Sequence, residues 1–295
     1  MSNSTELPIA HIDDPESIQN LLEALRHLHG PEFDFGVETW QGQSVLSAPP
    51  NKTVYRFIMR SQKATITLKT GDWVRGLHPT AEPLARATSE TQEPLWPGDA
   101  IVTNSETGDA IIDGTGVYYA ITTHTTAYQA PKVAFLRNLT DHPGGCAAYD
   151  HAFRREVIPP EKTGPNAADK MGTNRVNEHT LDMRPDRLPL PSKHHHGQVQ
   201  TPQGPINHTE TALVLPRAAY GLPLPNGTED GYAIIYRNPL TKGTTDAFEV
   251  PLRPGSIVVT PSTANSLYGH SFANAFAMLV AVPGFVAPYV MIQEP

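Results

Sequence analysis

A single cysteine, Cys146, stands among the 295 residues, so no disulfide can close within the chain and the fold must rest on its core. That usage agrees with a reducing compartment. Aromatic residues are sparse at 7% and charged residues reach only 18%. No stretch approaches the 18 uninterrupted apolar residues that a membrane-crossing helix needs. The opening residues Met1-Ser2-Asn3-Ser4-Thr5-Glu6 carry neither a basic n-region nor an apolar h-region, and a cytoplasmic location with no membrane partner is expected. Positive charge is also short. With 22 Lys and Arg against 30 Asp and Glu, the net charge is −8 and the pI about 5.9. A general nucleic-acid or anionic-membrane binder needs the opposite balance, so a small-molecule partner is expected instead.

What the chain does hold is proline, 29 residues of it, about twice the usual share. The prolines punctuate short apolar runs, the pattern of an all-β architecture. A hydrophobic fraction of 39% and a mean hydropathy of −0.34 describe a globular chain with enough apolar surface for a substantial core. One helix is predicted: Ile18, Leu21, Leu22, Leu25 and Leu28 recur at helical spacing after Asp14-Pro15-Glu16, and Gly30 supplies the stop. It is expected to pack across the outside of a sheet. From Val54 the pattern shortens to strand-length runs: Val54–Met59, Ala64–Leu68, Ala100–Thr103, Gly116–Thr122 and Lys132–Leu136. A second set follows in Thr211–Leu215, Tyr232–Tyr236, Ala247–Val250, Ser256–Thr260 and Ala275–Val282. The expected organisation is an N-terminal β domain over 1–140, a polar linker or cover over 141–193, and a C-terminal β domain over 194–295. Trp96-Pro97-Gly98-Asp99-Ala100-Ile101-Val102-Thr103 and Arg253-Pro254-Gly255-Ser256-Ile257-Val258-Val259-Thr260 share a Pro-Gly turn feeding a β-branched strand. That is one repeated phrase of an internal duplication.

Histidine carries the chemistry. Seven of the 13 histidines lie between residues 142 and 208, three of them consecutive at His194, His195 and His196. On a strand, His194 and His196 fall on one face and His195 on the other, which makes the first two a ready pair of metal ligands. An exposed His-rich loop with incidental metal affinity reads the triplet equally well. Glu210 opens the apolar strand Thr211–Leu215, and His270 precedes the strand Ala275–Val282. Singly, each reads as a solvated polar residue; their order along the chain is what matters.

Here the sequence resembles the cupin superfamily. Gly255, five residues, Pro261, then His270, three residues and Asn274 follow that family's second motif, with a longer turn between Pro261 and His270. Its first motif is met by His194, His196, Glu210 and Val214-Leu215. Thirteen residues separate His196 from Glu210, where the usual pattern has three or four. Some cupins with sugar-phosphate isomerase activity carry long insertions there. The insertion includes His208, which shares strand parity with Glu210 and competes with the triplet histidines as a ligand. His208-x-Glu210 with a distant His270 also resembles the 2-His-1-carboxylate triad of non-haem iron oxygenases. No Arg follows His270, which speaks against a 2-oxoglutarate partner.

The resemblance implies a bicupin: two double-stranded β-helix (jelly-roll) domains behind a short N-terminal helix. The first would be degenerate, since Asn104 stands where the motif has Pro and His78 and His124 are isolated. The second would hold one divalent transition metal on His194, His196, His208, Glu210 and His270. Fe(II) leads, with Mn, Ni or Zn as alternatives. Tyr268, Arg217 and Arg237 lie near the ligand strands and are the candidate catalytic or substrate-binding groups. The leading expectation is an Fe(II) oxygenase or dioxygenase acting on a small polar metabolite. A Lewis-acid isomerase, epimerase or lyase is the alternative, and a non-catalytic binding bicupin the third reading. A homodimer is expected, because exposed barrel sheets pair.

Overall fold

The computed structural model describes residues 9–29, 33–78, 84–123, 130–140, 142–143, 152–157, 173–181, 194–196, 199–201, 204–206, 210–216, 219, 231–237, 247–260, 262–263, 266–273, 277–283 and 291–293. Strand β1 (Ile9–His11) is followed by helix α1 (Pro15–His29). Asp14 caps α1 by accepting the amides of Glu16 and Ser17 at 3.2 Å, while Pro15 takes the first helical position, where no N–H is needed. Leu21, Leu22 and Leu25 are buried, as the period predicts. With 15 residues, α1 is too short to cross a membrane, and no described helix is long and apolar enough to do so.

The N-terminal strands are β2 (Phe33–Gln41), β3 (Ser44–Leu46), β4 (Thr53–Leu68), β5 (Trp73–Arg75), β6 (Leu84–Arg86), β7 (Thr91–Pro94), β8 (Ala100–Thr103), β9 (Ala110–Thr123) and β10 (Val133–Ala134). They form one nine-stranded sheet that folds over into two layers. One layer runs β2-β9-β4-β8, and β3 and β7 flank the other halves of β9 and β4. The two expected strands Val54–Met59 and Ala64–Leu68 are one strand, β4. It passes from one layer to the other through register shifts between Ile58 and Arg60 and between Gln62 and Thr65, with Lys63 at φ +50°.

The C-terminal half supplies β11 (His142–Pro143), β12 (Ala152–Glu156), β13 (Thr173–Leu181), β14 (His194–His196), β15 (Val199–Thr201), β16 (Gly204–Ile206), β17 (Glu210–Leu215) and β18 (Gly231–Arg237). These are followed by β19 (Ala247–Leu252), β20 (Ser256–Thr260), β21 (Ser262–Thr263), β22 (Ser266–Ala273), β23 (Ala277–Pro283) and β24 (Met291–Gln293). A seven-stranded sheet runs β1-β20-β17-β23-β13-β12-β11, and a six-stranded one follows β19-β18-β22-β14-β24 with β21 on β22. Strands β15 and β16 pair separately. The segment read as linker therefore contributes β11, β12 and β13 to a sheet.

The halves are two copies of one jelly roll. β2-β9-β4-β8 corresponds to β13-β23-β17-β20, and the layer of β3, β9, β4 and β7 corresponds to β14-β22-β18-β19. Where the N-terminal copy uses two bent strands, the C-terminal copy uses four separate ones. The Pro-Gly turns are equivalent in detail. The Gly98 amide donates to Ile58 O at 2.7 Å, and the Gly255 amide donates to Val214 O at 2.9 Å. Both glycines lie at positive φ, +91° and +96°.

Strand β4 is buried continuously from Thr53 to Met59 because both its faces are covered. Tyr55, Phe57 and Met59 join Leu213, Leu215, Ile257, Val259 and α1 in a core between the two jelly rolls. Val54 and Ile58 face the other way, into the N-terminal barrel with Leu46, Ile66, Leu68, Ile101, Ala110 and Ile112. Each such large side chain contributes about 1.5–3 kcal/mol by leaving water. The N-terminal arm belongs to neither register of its own half. β1 pairs antiparallel with β20, and Ile12 N donates to Gly255 O at 3.0 Å, so the arm covers an edge of the C-terminal sheet.

Candidate metal centre

Strand register assembles the histidines. β14 consists of His194, His195 and His196, and His194 lies directly opposite His270 on β22 while His195 lies opposite Gly269. Residues opposed in an antiparallel pair share a face, with Cβ atoms about 4.5–5.5 Å apart. His194, His196 and His270 therefore share one face of the six-stranded sheet, and His195 is on the other. The same face carries Tyr268, two residues from His270, and Arg237, which pairs with Tyr268 across β18 and β22. β24 adds Gln293 opposite His194 and Met291 opposite His196. Sequence reasoning missed these last two, for nothing in a short C-terminal run announces its strand partner.

Strand β19 tells which face this is. Val250 pairs with Ala233, which pairs with Phe272, so Val250 and Leu252 share the face of His270. Both are buried, at 7% and 2% exposure, whereas Pro251 between them is exposed. The face that His270 shares by register is thus buried at its β19 flank.

Glu210 approaches from the other layer. It opens β17 opposite Thr260 and shares strand parity with Ala212 and Val214. Those two are buried but lie outside the core between the jelly rolls, which takes Leu213 and Leu215, of the opposite parity. By parity, Glu210 falls on the face of β17 that Ala212 and Val214 bury. His208 and Arg217 lie outside the described residues, as do Pro261 and Asn274 of the motif.

The N-terminal copy shows the same positions without the donors. Phe57 pairs with Ala100 as Leu213 pairs with Ile257, and Val54 pairs with Thr103 as Glu210 pairs with Thr260. Val54 is therefore the counterpart of Glu210. The face that carries histidines in one copy carries Leu46, Ile66, Leu68, Ala110 and Ile112 in the other. Among residues with described side chains, no group of three His, Cys, Asp or Glu gathers. A set of imidazoles and one carboxylate suits a divalent transition metal by donor chemistry, and in the C-terminal copy strand register sets His194 opposite His270 while Glu210 opens β17.

No family model matches the chain, and neither does any curated protein. Solved structures do. A Lactobacillus farciminis oxalate decarboxylase in complex with formate aligns over 99% of this chain and 90% of its own, with a TM-score of 0.51 at 10% identity. The W96Y variant of Bacillus subtilis oxalate decarboxylase aligns over 99% and 80%, with a TM-score of 0.50 at 7% identity. An IolB-like protein of Salmonella typhimurium aligns over 89% and 87%, with a TM-score of 0.49 at 11% identity. At such identities the likeness concerns the fold: this chain has the two-domain jelly-roll fold of the cupins.

Proposed function

We propose that the C-terminal jelly roll holds one divalent transition metal on His194, His196, Glu210 and His270, and that the protein is a metal-dependent enzyme acting on a small carboxylate-bearing metabolite. The observation that carries the reading is the direct opposition of His194 and His270, with Glu210 opening β17 on the face that Ala212 and Val214 bury. His208 is the alternative histidine ligand.

Arg237 and Tyr268, opposed in register on the histidine face, serve the substrate. A guanidinium grips a carboxylate through two parallel N–H bonds, which fixes the orientation of the substrate's remaining end. The Tyr268 hydroxyl donates to a substrate oxygen or holds a proton beside it. Arg217 is the second candidate cation. The buried flanks at Val250 and Leu252 exclude water and strengthen these contacts. When bound, the metal supplies Lewis acidity toward a substrate oxygen.

A redox-neutral reaction, lyase or isomerase with Mn, Ni or Zn, is the favoured class, in keeping with the oxalate decarboxylases among similar folds. The second reading is an Fe(II) oxygenase, favoured by the donor set of imidazoles and one carboxylate. Protein prepared without an affinity tag should contain about one metal ion per chain by elemental analysis. Carbon dioxide release from a panel of small carboxylates without oxygen uptake would favour the first class, and oxygen uptake with bound iron the second. Absence of stoichiometric metal would sink both.

A further inference from the structure

The N-terminal arm gives the C-terminal jelly roll a strand that the other copy supplies for itself. Ile9 and Ala10 of β1 pair with Val258 and Ile257 as Val133 and Ala134 of β10 pair with Ile101 and Ala100, both antiparallel. β1 is therefore the counterpart of β10, and the residues after them correspond too: a Cβ added at Gly98 would meet Leu136, and one at Gly255 would meet Ile12. His11 then stands where the N-terminal copy has Phe135. Arg253 and Ser256 stand where it has Trp96 and Asp99.

That exchange changes how one end of the barrel is closed. Phe135 is buried at 5% exposure with Val133 and Leu95 in the N-terminal barrel core, and the Arg137 guanidinium lies 4.0 Å from the centroid of the Trp96 ring. The C-terminal copy has instead a cavity of about 460 Å³ beside His11, with Ile9, Ala10, Pro251 and Leu252 as its apolar wall and Arg253, Ser256 and Asp14 at its polar rim. The imidazole is engaged already, since Nε2–H donates to Pro254 O and Nδ1 accepts the Asp13 amide, each at 3.2 Å. Arg253 is not. Its guanidinium comes within 3.5 Å of His11 Nδ1, and no carboxylate among the described residues lies within ion-pair distance of it. Asp13 lies within its field but gives both carboxylate oxygens to Arg60 at 2.8 Å. Most of the five N–H donors of Arg253 are therefore open to a ligand. Ser256 is 5% exposed and accepts the Arg253 amide at 3.1 Å, which leaves its hydroxyl proton to donate.

An apolar wall with a guanidinium at its rim matches an aliphatic chain that ends in a carboxylate. Asp14, whose Oδ1 caps α1, opposes a second negative charge at the same rim. We propose that this cavity binds a small aliphatic monocarboxylate, its oxygens on Arg253 and the Ser256 hydroxyl and its chain against Ile9 and Leu252. The cavity lies at the Ser256 end of β20, whereas Glu210 pairs with Thr260 at the other, so the site is independent of the proposed metal.

The test is a titration of the metal-free full chain with isovalerate, glutarate or isopentanol at matched ionic strength, followed by amide NMR spectra. Isovalerate should move the amides of Ala10, Arg253 and Ser256 saturably, with a Kd in the millimolar range that suits so small a ligand. Arg253→Gln should weaken binding about tenfold or more. Arg253→Trp, which repeats the side chain that the other copy carries at this turn, should do the same. Glutarate and isopentanol should bind several-fold more weakly than isovalerate, and Glu210→Ala should bind it like wild type. Absence of a saturable shift at these amides, equal affinity for isopentanol or glutarate, unchanged affinity in Arg253→Gln, or loss of binding in Glu210→Ala would each overturn the proposal.

Discussion

Glu210 and Val54 occupy one register position in two copies of the same jelly roll, Glu210 opposite Thr260 and Val54 opposite Thr103. The duplication thus supplies its own control. Glu210→Val reproduces a residue that the fold already accepts at this position, so the variant should fold, with a stability change below ~1 kcal/mol in metal-free buffer. Its metal content should fall severalfold by elemental analysis of untagged protein. Retention of wild-type content would remove Glu210 from the site.

The triplet can be divided in the same way. His195 faces away from His270 by register, so His195→Ala should bind metal like wild type while His270→Ala and His194→Ala do not. Loss of metal in His195→Ala, as measured by competition with a chromophoric chelator, would mean that β14 presents its other face.

Much of this was legible because burial leaves a periodic trace. Leu21, Leu22 and Leu25 wrote α1 into the sequence, and the two Pro-Gly phrases marked strands that prove equivalent. What stayed hidden depends on partners distant in sequence. β3 is only three residues long and β7 is polar, so neither has a pattern apart from the strands β9 and β4 beside them. β1 gains its identity from β20, some 250 residues on, and β4 read as two strands because its bulges interrupt the alternation. The His194 and His270 pairing was approachable through motif order. The place of Gln293 beside it was not, since cross-strand partners are set by topology.

Asp99 gives the N-terminal copy a pH dependence. Burial pushes its carboxyl up from 3.8 to about 7, outweighing the Trp96 and Leu136 amides that donate to it at 2.8 and 2.9 Å. The folded value exceeds the unfolded one, so the native state holds this proton more tightly. Stability from this group is full below about pH 4 and is lost as pH rises to about 7, by ~4 kcal/mol at most. Asp99→Asn should flatten that slope while forfeiting one of the two amide bonds, because its NH2 cannot accept. Urea midpoints for both proteins between pH 5 and 8 would reveal it. Parallel slopes would count against a shifted Asp99.

The equivalent turns should differ in what they disturb. An alanine Cβ at Gly98 would lie 2.1 Å from Leu136 Cδ2 at φ +91°, and one at Gly255 would lie 2.9 Å from Ile12 Cγ1 at φ +96°. Gly98→Ala combines backbone strain with overpacking and should cost about 2–4 kcal/mol. Gly255→Ala presses instead on the arm, so its mark should be faster amide exchange at Ala10 and Ile12. Unchanged exchange there would show that the arm is held without this contact.

Tyr119 and Thr211 meet in the core between the jelly rolls. Both are fully buried, and among the described residues neither hydroxyl has a partner in good hydrogen-bonding geometry. Burial pushes the Tyr119 phenol well above its ordinary value, so it stays neutral at any working pH. An unsatisfied buried hydroxyl costs folding free energy, about 1–3 kcal/mol relative to a satisfied one. Tyr119→Phe removes the group and keeps the ring, and should leave stability unchanged or raise it by up to ~1 kcal/mol. Thr211→Val should behave likewise, and because the two hydroxyls face each other closely enough for Thr211 to temper the rise of the Tyr119 pKa, the double-mutant cycle reads any coupling between them. A loss of more than ~1 kcal/mol in either single variant, or a coupling of that size in the double-mutant cycle, would mean that the two hydroxyls bridge the jelly rolls after all. Thr211 adjoins Glu210 in β17, so such a bridge would tie the carboxylate of the candidate metal centre to β9 of the N-terminal copy.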